Sequence, residues 1–380
     1  MSIYNAPHWF PEQLSTSRDI ELYSACNYKW FLSRVLHYYK YAKNVDLEAG
    51  GEFAKANEIT RNAYFKQNLP MEEAVALGVH HLETVYAENF ARENFQDVLK
   101  TPSKMVEVFK DMYKQTKLDE MLIIPFEMED GTLSVEQDFT IPLPFNHPET
   151  GKPLLLKCVL DLLGTKDGIV FVMDDKTCKS VNEDRAKQTD LLRTQNQFVQ
   201  YVTVGNLCKD RFGGLDITHV RINRCKIKKQ YAVGENVVEP YEFEVDVWFQ
   251  QTWWNNLLYL VADMLSKYSN FNKLVNTQFT DNFVNNQVVY PRAYGQACTS
   301  FFKPCPYTYH CTSGNAQDLQ EQGFKQVICN THTKGVEVPV HLYRKHVLEN
   351  VPLDELVTQS PEAKEQFTGD FDLDNFINNF

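Results

Sequence analysis

Residues 168–179, GIVFVMDDKTCK, are the stretch that decides the fold of this chain. A glycine opens it, and residues 169–173 are β-branched, aromatic or otherwise apolar. So short an apolar run predicts a buried strand rather than a helix. The run ends in Asp174, Asp175 and Lys176. Charges at the end of a buried strand are costly to desolvate unless they are paired or bound to a metal.

A second acid interrupts the apolar run just upstream. Residues 154–164, LLLKCVLDLLG, are broken only by Lys157, Cys158 and Asp161, and residues 164–168 predict a turn between the two runs. A hairpin across this turn would set Asp161 beside Asp174. Two acids and a lysine on adjoining strands can hold a divalent metal and a water molecule, which are the requirements of metal-assisted phosphodiester hydrolysis.

Length, charge and composition set the limits. A chain of 380 residues suits one large domain with additions, or two to three small domains. The net charge of −12 argues against a generally basic nucleic-acid binder, so any DNA contact must come from a local surface. The N-terminus does not resemble a signal peptide and no apolar run could span a bilayer, so we expect a soluble, cytoplasmic protein without membrane contact.

The order of patterns along the chain predicts an α/β protein in four segments. Residues 1–118 form a helical module, 119–269 a strand-rich core, 270–330 a cysteine-rich segment, and 331–380 a C-terminal extension. Within this scheme, residues 20–39 and residues 183–206 each predict one continuous helix. The basic stretch at residues 221–229, RINRCKIKK, predicts either a strand face that meets DNA phosphates or a solvated edge strand.

Three cysteines lie close together in residues 297–311, ACTSFFKPCPYTYHC. Clustered thiols in a chain without a secretory signal are typical metal ligands, because thiolates are the soft donors that zinc and iron–sulfur clusters select. Cys298, Cys305 and Cys311 need a fourth ligand. Cys26 is our candidate and Cys329 is the alternative on proximity. The competing interpretation is a set of unconnected thiols.

Together these motifs resemble the RecB-type branch of the PD-(D/E)xK nucleases, over about residues 23–311. The resemblance is strongest to members with an iron–sulfur staple, such as the AddB nuclease domain and the CRISPR-adaptation exonucleases. It implies a restriction-endonuclease-like core, in which helices flank a mixed sheet, with an N-terminal helical module and a C-terminal segment pinned by the cluster. It also implies a 4Fe-4S cluster, rather than zinc, on Cys26, Cys298, Cys305 and Cys311.

The nuclease motifs of that family match residue by residue. Asp161 matches the first acid, and Asp174 with Lys176 matches the (D/E)xK strand, so the resemblance implies that Asp174 binds Mg²⁺ or Mn²⁺ and that Lys176 positions or activates the attacking water. Gln197 and Tyr201 match the Gln-x-x-x-Tyr of the following helix, and their spacing puts them on one helix face.

One position departs from the family pattern. Many members carry a metal-binding histidine on an early helix, whereas residues 50–59, GGEFAKANEI, place Lys55 there. We expect either that Glu52 or Glu58 supplies a carboxylate instead or that the second metal position is weak, with the backbone carbonyl of Met173 or Asp175 as a further metal ligand.

The resemblance implies a metal-dependent DNA nuclease. We expect an exonuclease that favours single-stranded ends and serves DNA recombination, repair or replication, including that of a virus. The alternatives are an inactive DNA-binding or assembly subunit with the same fold, and a zinc-stapled structural protein. The acidic and aromatic tail, residues 367–380, suits docking on a replication or recombination protein, although a frayed last helix would have the same composition.

Overall fold

The structure is a computed structural model, and it describes most of the chain. The described residues are 6–40, 44–97, 99–115, 123–179, 184–231, 236–276, 289–293, 298, 304–313, 317–329, 333 and 336–359. The α-helices are α1 (Glu21–Ala25), α2 (Asn27–Trp30), α3 (Val45–Arg61), α4 (Met71–His81), α5 (Ala87–Arg92), α6 (Pro102–Gln115), α7 (Arg185–Arg193), α8 (Asn196–Leu207), α9 (Val247–Asn276), α10 (Thr308–Ser313), α11 (Gln317–Glu321), α12 (Val340–Glu349) and α13 (Leu353–Gln359). The strands are β1 (Gln13–Leu14), β2 (Tyr38–Tyr39), β3 (Ile124–Pro125), β4 (Val135–Asn146), β5 (Pro153–Lys166), β6 (Ile169–Cys178), β7 (His219–Lys226), β8 (Val238–Glu244), β9 (Lys325–Ile328) and β10 (Val338–Pro339).

A mixed sheet of seven strands carries the predicted motifs. Its order is β1-β5-β6-β7-β8, and β3 and β4 also pair with β5. Strands β6 and β7 are parallel, whereas β5 and β6 are antiparallel, as are β7 and β8. Helices α7 and α8 connect the parallel pair, as a parallel connection requires. The predicted α/β class, with helices flanking a mixed sheet, is confirmed at this level.

The β5–β6 hairpin forms where the sequence predicts it. Asp167 and Gly168 occupy the two turn positions with φ of 52° and 79°. Positive φ at both positions is typical of the tight hairpin turn whose twist matches that of the flanking strands, and glycine adopts it at little cost. The register pairs Leu162 with Met173 and Lys166 with Ile169.

Two predicted helices are interrupted. The chain turns to extended geometry at Cys26, with φ −160° and ψ 105°, so α1 ends before it and α2 begins after it. The Cys26 sulfur accepts a hydrogen bond from the Lys29 amide at 3.4 Å and thereby caps α2. A second break at Gln195 separates α7 from α8. The prediction of continuous helices at residues 20–39 and 183–206 is therefore wrong.

The prediction for the basic stretch at residues 221–229 is also wrong where it assumes an edge strand. Strand β7 lies between β6 and β8. Arg221 and Lys226 are buried and pair with Glu242 and Glu239 on β8, at 2.7 and 3.0 Å. Buried, paired cations of this kind hold two strands together and are not available to DNA phosphates.

The chain divides into two compact units that interleave along the sequence. The first comprises residues 1–41, 142–155 and 259–380, and the second comprises residues 42–141 and 156–258. The four predicted segments follow the order of the chain, so this division does not test them. In the described part of the chain, no helix is both long and apolar enough to cross a membrane.

Each unit has its own packed interior. In the first, Phe31 stacks on Tyr290 with centroids 4.3 Å apart, and Trp30 packs edge-on against Tyr23. In the second, α3, α4 and α6 pack around Phe53 and Phe109. These helices fix the position of α3, which contributes to the site described below.

Close packing in the second unit predicts opposite effects for two glycine substitutions. A Cβ at Gly78 on α4 would lie 2.8 Å from both the Ala56 carbonyl oxygen and the Phe109 ring, whereas a Cβ at Gly50 on α3 meets nothing within 4 Å. We expect Gly78→Ala to lower the free energy of unfolding by about 1–3 kcal/mol through overpacking. Gly50→Ala should raise it by about 0.5–1 kcal/mol through helix propensity. Urea denaturation of both variants measures this difference, and equal effects would contradict the packing.

Candidate functional site

The predicted acids lie at a fork between strands β5 and β6 in the second unit. The antiparallel pairing of these strands ends at Leu162 and Met173. Asp161 and Asp174 are the next residues on their strands, at the point where the ladder stops. Strand β6 continues alongside β7 as far as Cys178. The sequence therefore places both acids at the mouth of the fork, as the hairpin prediction required.

Asp174 is fully buried, yet its charge is only partly compensated. Its side chain is 0% exposed, and within the described part of the chain neither oxygen has a hydrogen bond of good geometry, although Asp161 and Lys176 both lie within hydrogen-bonding reach of it. The Lys176 ammonium lies 2.9 Å from Asp174 Oδ2, so the two form an ion pair, although not one with hydrogen-bond geometry. A buried carboxylate without hydrogen bonds is costly, and such an atom in a native fold is a candidate for an absent ligand.

Burial and electrostatics couple the two acids. Burial and the negative charge of Asp174 raise the pKa of Asp161 well above its usual range. Two acids this close cannot both ionise easily unless a cation joins them. Burial opposes the charge on Lys176, but the carboxylates of Asp174 and Asp161 outweigh it and raise the pKa of that ammonium. Lys176 is therefore charged at neutral pH.

Helix α8 brings Gln197 and Tyr201 to the same acids. The Gln197 side-chain amide donates a hydrogen bond to the Tyr201 hydroxyl, as their four-residue spacing predicts. Burial, followed by the charges of Asp174 and Asp161, raises the pKa of Tyr201 well above its usual range. The phenol is therefore neutral and lies close enough to the acid pair to sense its charge. The structure thus brings together the five predicted catalytic residues, Asp161, Asp174, Lys176, Gln197 and Tyr201.

Asp175 has a different environment from Asp174. Successive residues of a strand point to opposite faces, so the two acids diverge. The Asp175 carboxylate is 2% exposed and forms an ion pair with Arg61 from α3. It also accepts hydrogen bonds from Asn57 and Asn223, at 3.2 and 2.9 Å. These donors occupy both side-chain oxygens, whereas the predicted ligand, the backbone carbonyl oxygen of Met173 or Asp175, is a different atom that they do not contact.

A small cavity adjoins the Asp175 network. Its volume is about 50 Å³, room for a few water molecules. Its polar lining is largely bonded internally: Arg221 donates to Asn223 at 3.1 Å, and Tyr113 next to it donates to Asn57 at 2.9 Å. The cavity is therefore part of the hydrogen-bonded network that supports strand β6.

The structure places the two predicted substitutes for the family histidine in different surroundings. Glu52 accepts hydrogen bonds from His81 at 2.6 Å and from Asn89 at 3.0 Å, which ties α3 to neighbouring helices instead of to the fork. Lys55 is about half exposed and pairs with Glu58 at 2.7 Å. Glu58 in turn lies close enough to Glu136 to raise the pKa of that residue.

Glu136 is a site residue that the sequence did not reveal. It lies at the start of β4 with a left-handed φ of 51°, an unusual conformation for a residue other than glycine. Burial, followed by the charge of Asp161, raises its pKa to about 7. Only the pairing of β4 with β5 brings Glu136 to the fork, and the local sequence EQDF carries no signal of that pairing.

The predicted cluster cysteines come together in the first unit. Burial raises the pKa of Cys311 to about 11, and the thiols of Cys305, Cys26 and Cys298 all contribute to this shift. The Cys305 amide donates to the Cys298 carbonyl oxygen at 2.8 Å, which closes the loop between them. Cys329 is exposed, and its electrostatic neighbours are Glu337 and Arg18. The structure thus gathers Cys26 with the three C-terminal cysteines and leaves Cys329 apart.

Neither site has metal-ligating geometry as it stands. Among the described residues, no three His, Cys, Asp or Glu side chains are arranged to hold a metal ion. The donor chemistry nevertheless fits in both places, since oxygen donors suit Mg²⁺ and Mn²⁺ and a set of four thiols suits an iron–sulfur cluster.

Comparison with known proteins adds nothing to these observations. No protein-family model matches this sequence, and no curated protein matches it.

The acidic tail predicted to dock a partner, which includes Asp370, Asp372 and Asp374, lies outside the described residues.

The buried pair between Arg61 and Asp175 predicts a large loss of stability when it is broken. Arg61→Ala leaves a carboxylate buried without its cation, which costs about 3–5 kcal/mol of unfolding free energy. Lys55→Ala is the matched control on the same helix, because its ion pair is exposed and contributes at most about 1 kcal/mol. Chemical denaturation compares the two, and a loss as small for Arg61→Ala as for Lys55→Ala would show that the network does not support β6.

Proposed function

We propose that this chain is a metal-dependent DNA nuclease of the PD-(D/E)xK type. The observation that supports this proposal most is the fork itself, where a fully buried acid that lacks hydrogen bonds of good geometry lies beside a second acid of raised pKa and a charged lysine. A structural acid in this position would be expected to have acquired donors, as Asp175 has. An uncompensated acid pair is instead what a cation-dependent active site requires.

Asp161 and Asp174 would hold the Mg²⁺ or Mn²⁺ ion. When bound, such an ion lowers the pKa of a coordinated water and offsets the negative charge that develops on the phosphate. The acid pair itself suits this role, because the repulsion between the two carboxylates is relieved either by a proton on Asp161 or by a positive charge between them.

Lys176 acts as an electrostatic group rather than as a base. The carboxylates of Asp174 and Asp161 raise its pKa, which favours the protonated form. A charged ammonium anchored on Asp174 can instead orient the water and stabilise charge on a phosphate oxygen. Gln197 and the neutral Tyr201 hydroxyl remain as hydrogen-bond donors that can position a DNA strand over the acids.

DNA is the substrate class that best suits this arrangement, although the chain as a whole has a net charge of −12. The cations at the site, rather than the whole surface, must attract phosphate. We propose exonucleolytic action on single-stranded ends, within the cell, in recombination, repair or replication. The alternative of an inactive binding or assembly subunit is favoured by one observation, that Lys55 stands where the family has its histidine and is paired with Glu58.

We further propose that Cys26, Cys298, Cys305 and Cys311 bind a 4Fe-4S cluster. Two observations support this. The other three thiols lie close enough to Cys311 to affect its pKa, and the backbone at Cys26 is extended, so that this residue lies between helices α1 and α2. Since the ligands come from both ends of the first unit, the cluster would pin its C-terminal segment to its first helices.

Cleavage assays test the nuclease proposal. Anaerobically purified protein should degrade end-labelled single-stranded DNA in Mn²⁺, and Asp174→Asn should abolish this while leaving the fold intact, because it removes a buried charge. Lys176→Ala should slow cleavage by about 10²–10³-fold, as expected for the loss of one preorganised electrostatic donor. Asp130→Asn, on a surface turn, is the matched control.

Two results would contradict this proposal. Undiminished cleavage by Asp174→Asn would place the activity elsewhere or in a contaminant. Wild-type protein that binds the labelled strand in Mn²⁺ without cutting it would favour the binding subunit.

Colour and metal content test the cluster. The purified protein should be brown, and Cys305→Ser should bleach it and destabilise the C-terminal segment, because ligand binding energy contributes to folding. Cys329→Ser is the matched control, since that thiol is exposed and lies apart from the other four, and it should stay brown. A colourless wild type with one zinc per chain would replace the iron–sulfur assignment with a structural zinc site.

A further inference from the structure

The acids around the fork outnumber the cations that contact them. In the described part of the chain, each nearby cation is already paired with one acid: Arg61 with Asp175, Lys55 with Glu58, and Lys176 with Asp174. Asp161 and Glu136 form no ion pair among the described residues, although Lys176 and Arg61 lie close enough to oppose the rise in the pKa of Asp161 and of Glu136, respectively. Asp161 accepts one hydrogen bond, from the Asp175 amide at 3.3 Å, and Glu136 accepts none within the same ranges. Two carboxylates therefore remain without a paired positive charge.

Strand register places these two carboxylates together. The Leu163 amide donates to the Ser134 carbonyl oxygen at 2.9 Å, and the Ser134 hydroxyl donates to the Leu163 carbonyl oxygen. Glu136 lies two residues after Ser134, and Asp161 lies two residues before Leu163. Continuation of an antiparallel register from this pair sets Glu136 opposite Asp161, where side chains are about 5 Å apart at Cβ.

This arrangement is unfavourable for the protein alone. Like charges directly opposite one another on neighbouring strands are destabilising. The left-handed backbone at Glu136 adds a further cost. Asp174, which is fully buried and lacks hydrogen bonds of good geometry, lies beside Asp161. A divalent cation would relieve the repulsion among these carboxylates and favour their ionised forms.

We propose that Glu136 is the third carboxylate of the cation site at the fork, and that it takes the place of the histidine that this chain lacks. This inference rests on the proposed nuclease function and adds a ligand to it. The side chains do not converge on one point without a cation, and a glutamate can close that gap by rotation about its own side-chain bonds. Three carboxylates form an oxygen-only set, which suits Mg²⁺ or Mn²⁺ and disfavours zinc.

Two other acids predicted near the metal, Glu52 and Asp175, are less suitable than Glu136 as the third carboxylate ligand. Both oxygens of Glu52 are used by His81 and Asn89, and both oxygens of Asp175 are used by Arg61 and two asparagines. Recruitment of either acid would break hydrogen bonds that already exist. Glu136 has none to lose within the described residues.

Calorimetric titration of Mn²⁺ into the full-length, cluster-loaded protein tests this inference without measuring cleavage. Wild type should bind Mn²⁺ at the fork, and Asp174→Asn should lose that binding. Glu136→Gln should weaken the affinity about tenfold or more, since even groups that only support a ligand cost that much when removed. Glu127→Gln is the matched control, an exposed glutamate just before β4, and should bind as wild type does.

The outcomes separate the two proposals. If Asp174→Asn weakens Mn²⁺ binding and Glu136→Gln does not, the role of Glu136 is overturned and the metal site stands. If neither changes the affinity, or if wild type does not bind Mn²⁺, both are overturned. Should Glu136→Gln fail to fold, Glu136→Asn decides in the same way, because asparagine adopts left-handed backbone more readily and also lacks the carboxylate.

Discussion

The cost of burying carboxylates at the end of strand β6 is the constraint on which the second unit depends. Removing an ionised carboxylate from water costs several kcal/mol even after the protein relaxes. Strand β6 presents two such groups on opposite faces, Asp174 and Asp175. The fold compensates one of them fully, with Arg61 and two asparagines, and the other only with Lys176. This asymmetry distinguishes an acid that holds the structure from an acid that is available for chemistry.

The hydrogen bonds of Asp175, the compensated acid, also support the position of Asp174. Arg61 and Asn57 come from α3, and Asn223 comes from β7, so Asp175 joins a helix and a neighbouring strand to β6. That network fixes the backbone of β6 at the residue next to Asp174. Rigid support of this kind is what a preorganised site requires, because a carboxylate held in place need not reorganise when a charge approaches. The structural acid and the candidate catalytic acid therefore work as a pair along one strand.

Local patterns predicted much of this architecture, and long-range pairing accounts for the rest. The β5–β6 hairpin follows from two apolar runs and a turn with glycine, and the Gln197–Tyr201 contact follows from helical spacing. Glu136 could not be predicted, since it reaches the fork only through the pairing of β4 with β5, and Arg61 reaches Asp175 from 114 residues away in the chain. The break at Cys26 was also hidden, because the helical spacing of apolar residues continues across it and the extended geometry belongs to that one residue. Strand alternation alone, however, separates Asp174 from Asp175, so the sequence contains more information about their roles than the motif DDK by itself suggests.

The proposed oxygen-only site would also account for a lysine at residue 55. A histidine at residue 55 would offer a neutral nitrogen donor, whereas Lys55 offers a cation that pairs with Glu58 and reduces the negative charge around the fork. Without that pair, Glu58 would add a further unpaired charge near Glu136. Replacement of a nitrogen ligand by a carboxylate raises the negative charge of the site, and a cation nearby offsets part of that increase. In the proposed site, Glu136 would make the ligands an oxygen-only set, which binds hard divalent ions and relies on charge rather than on ligand softness, and Lys55 would offset part of its negative charge.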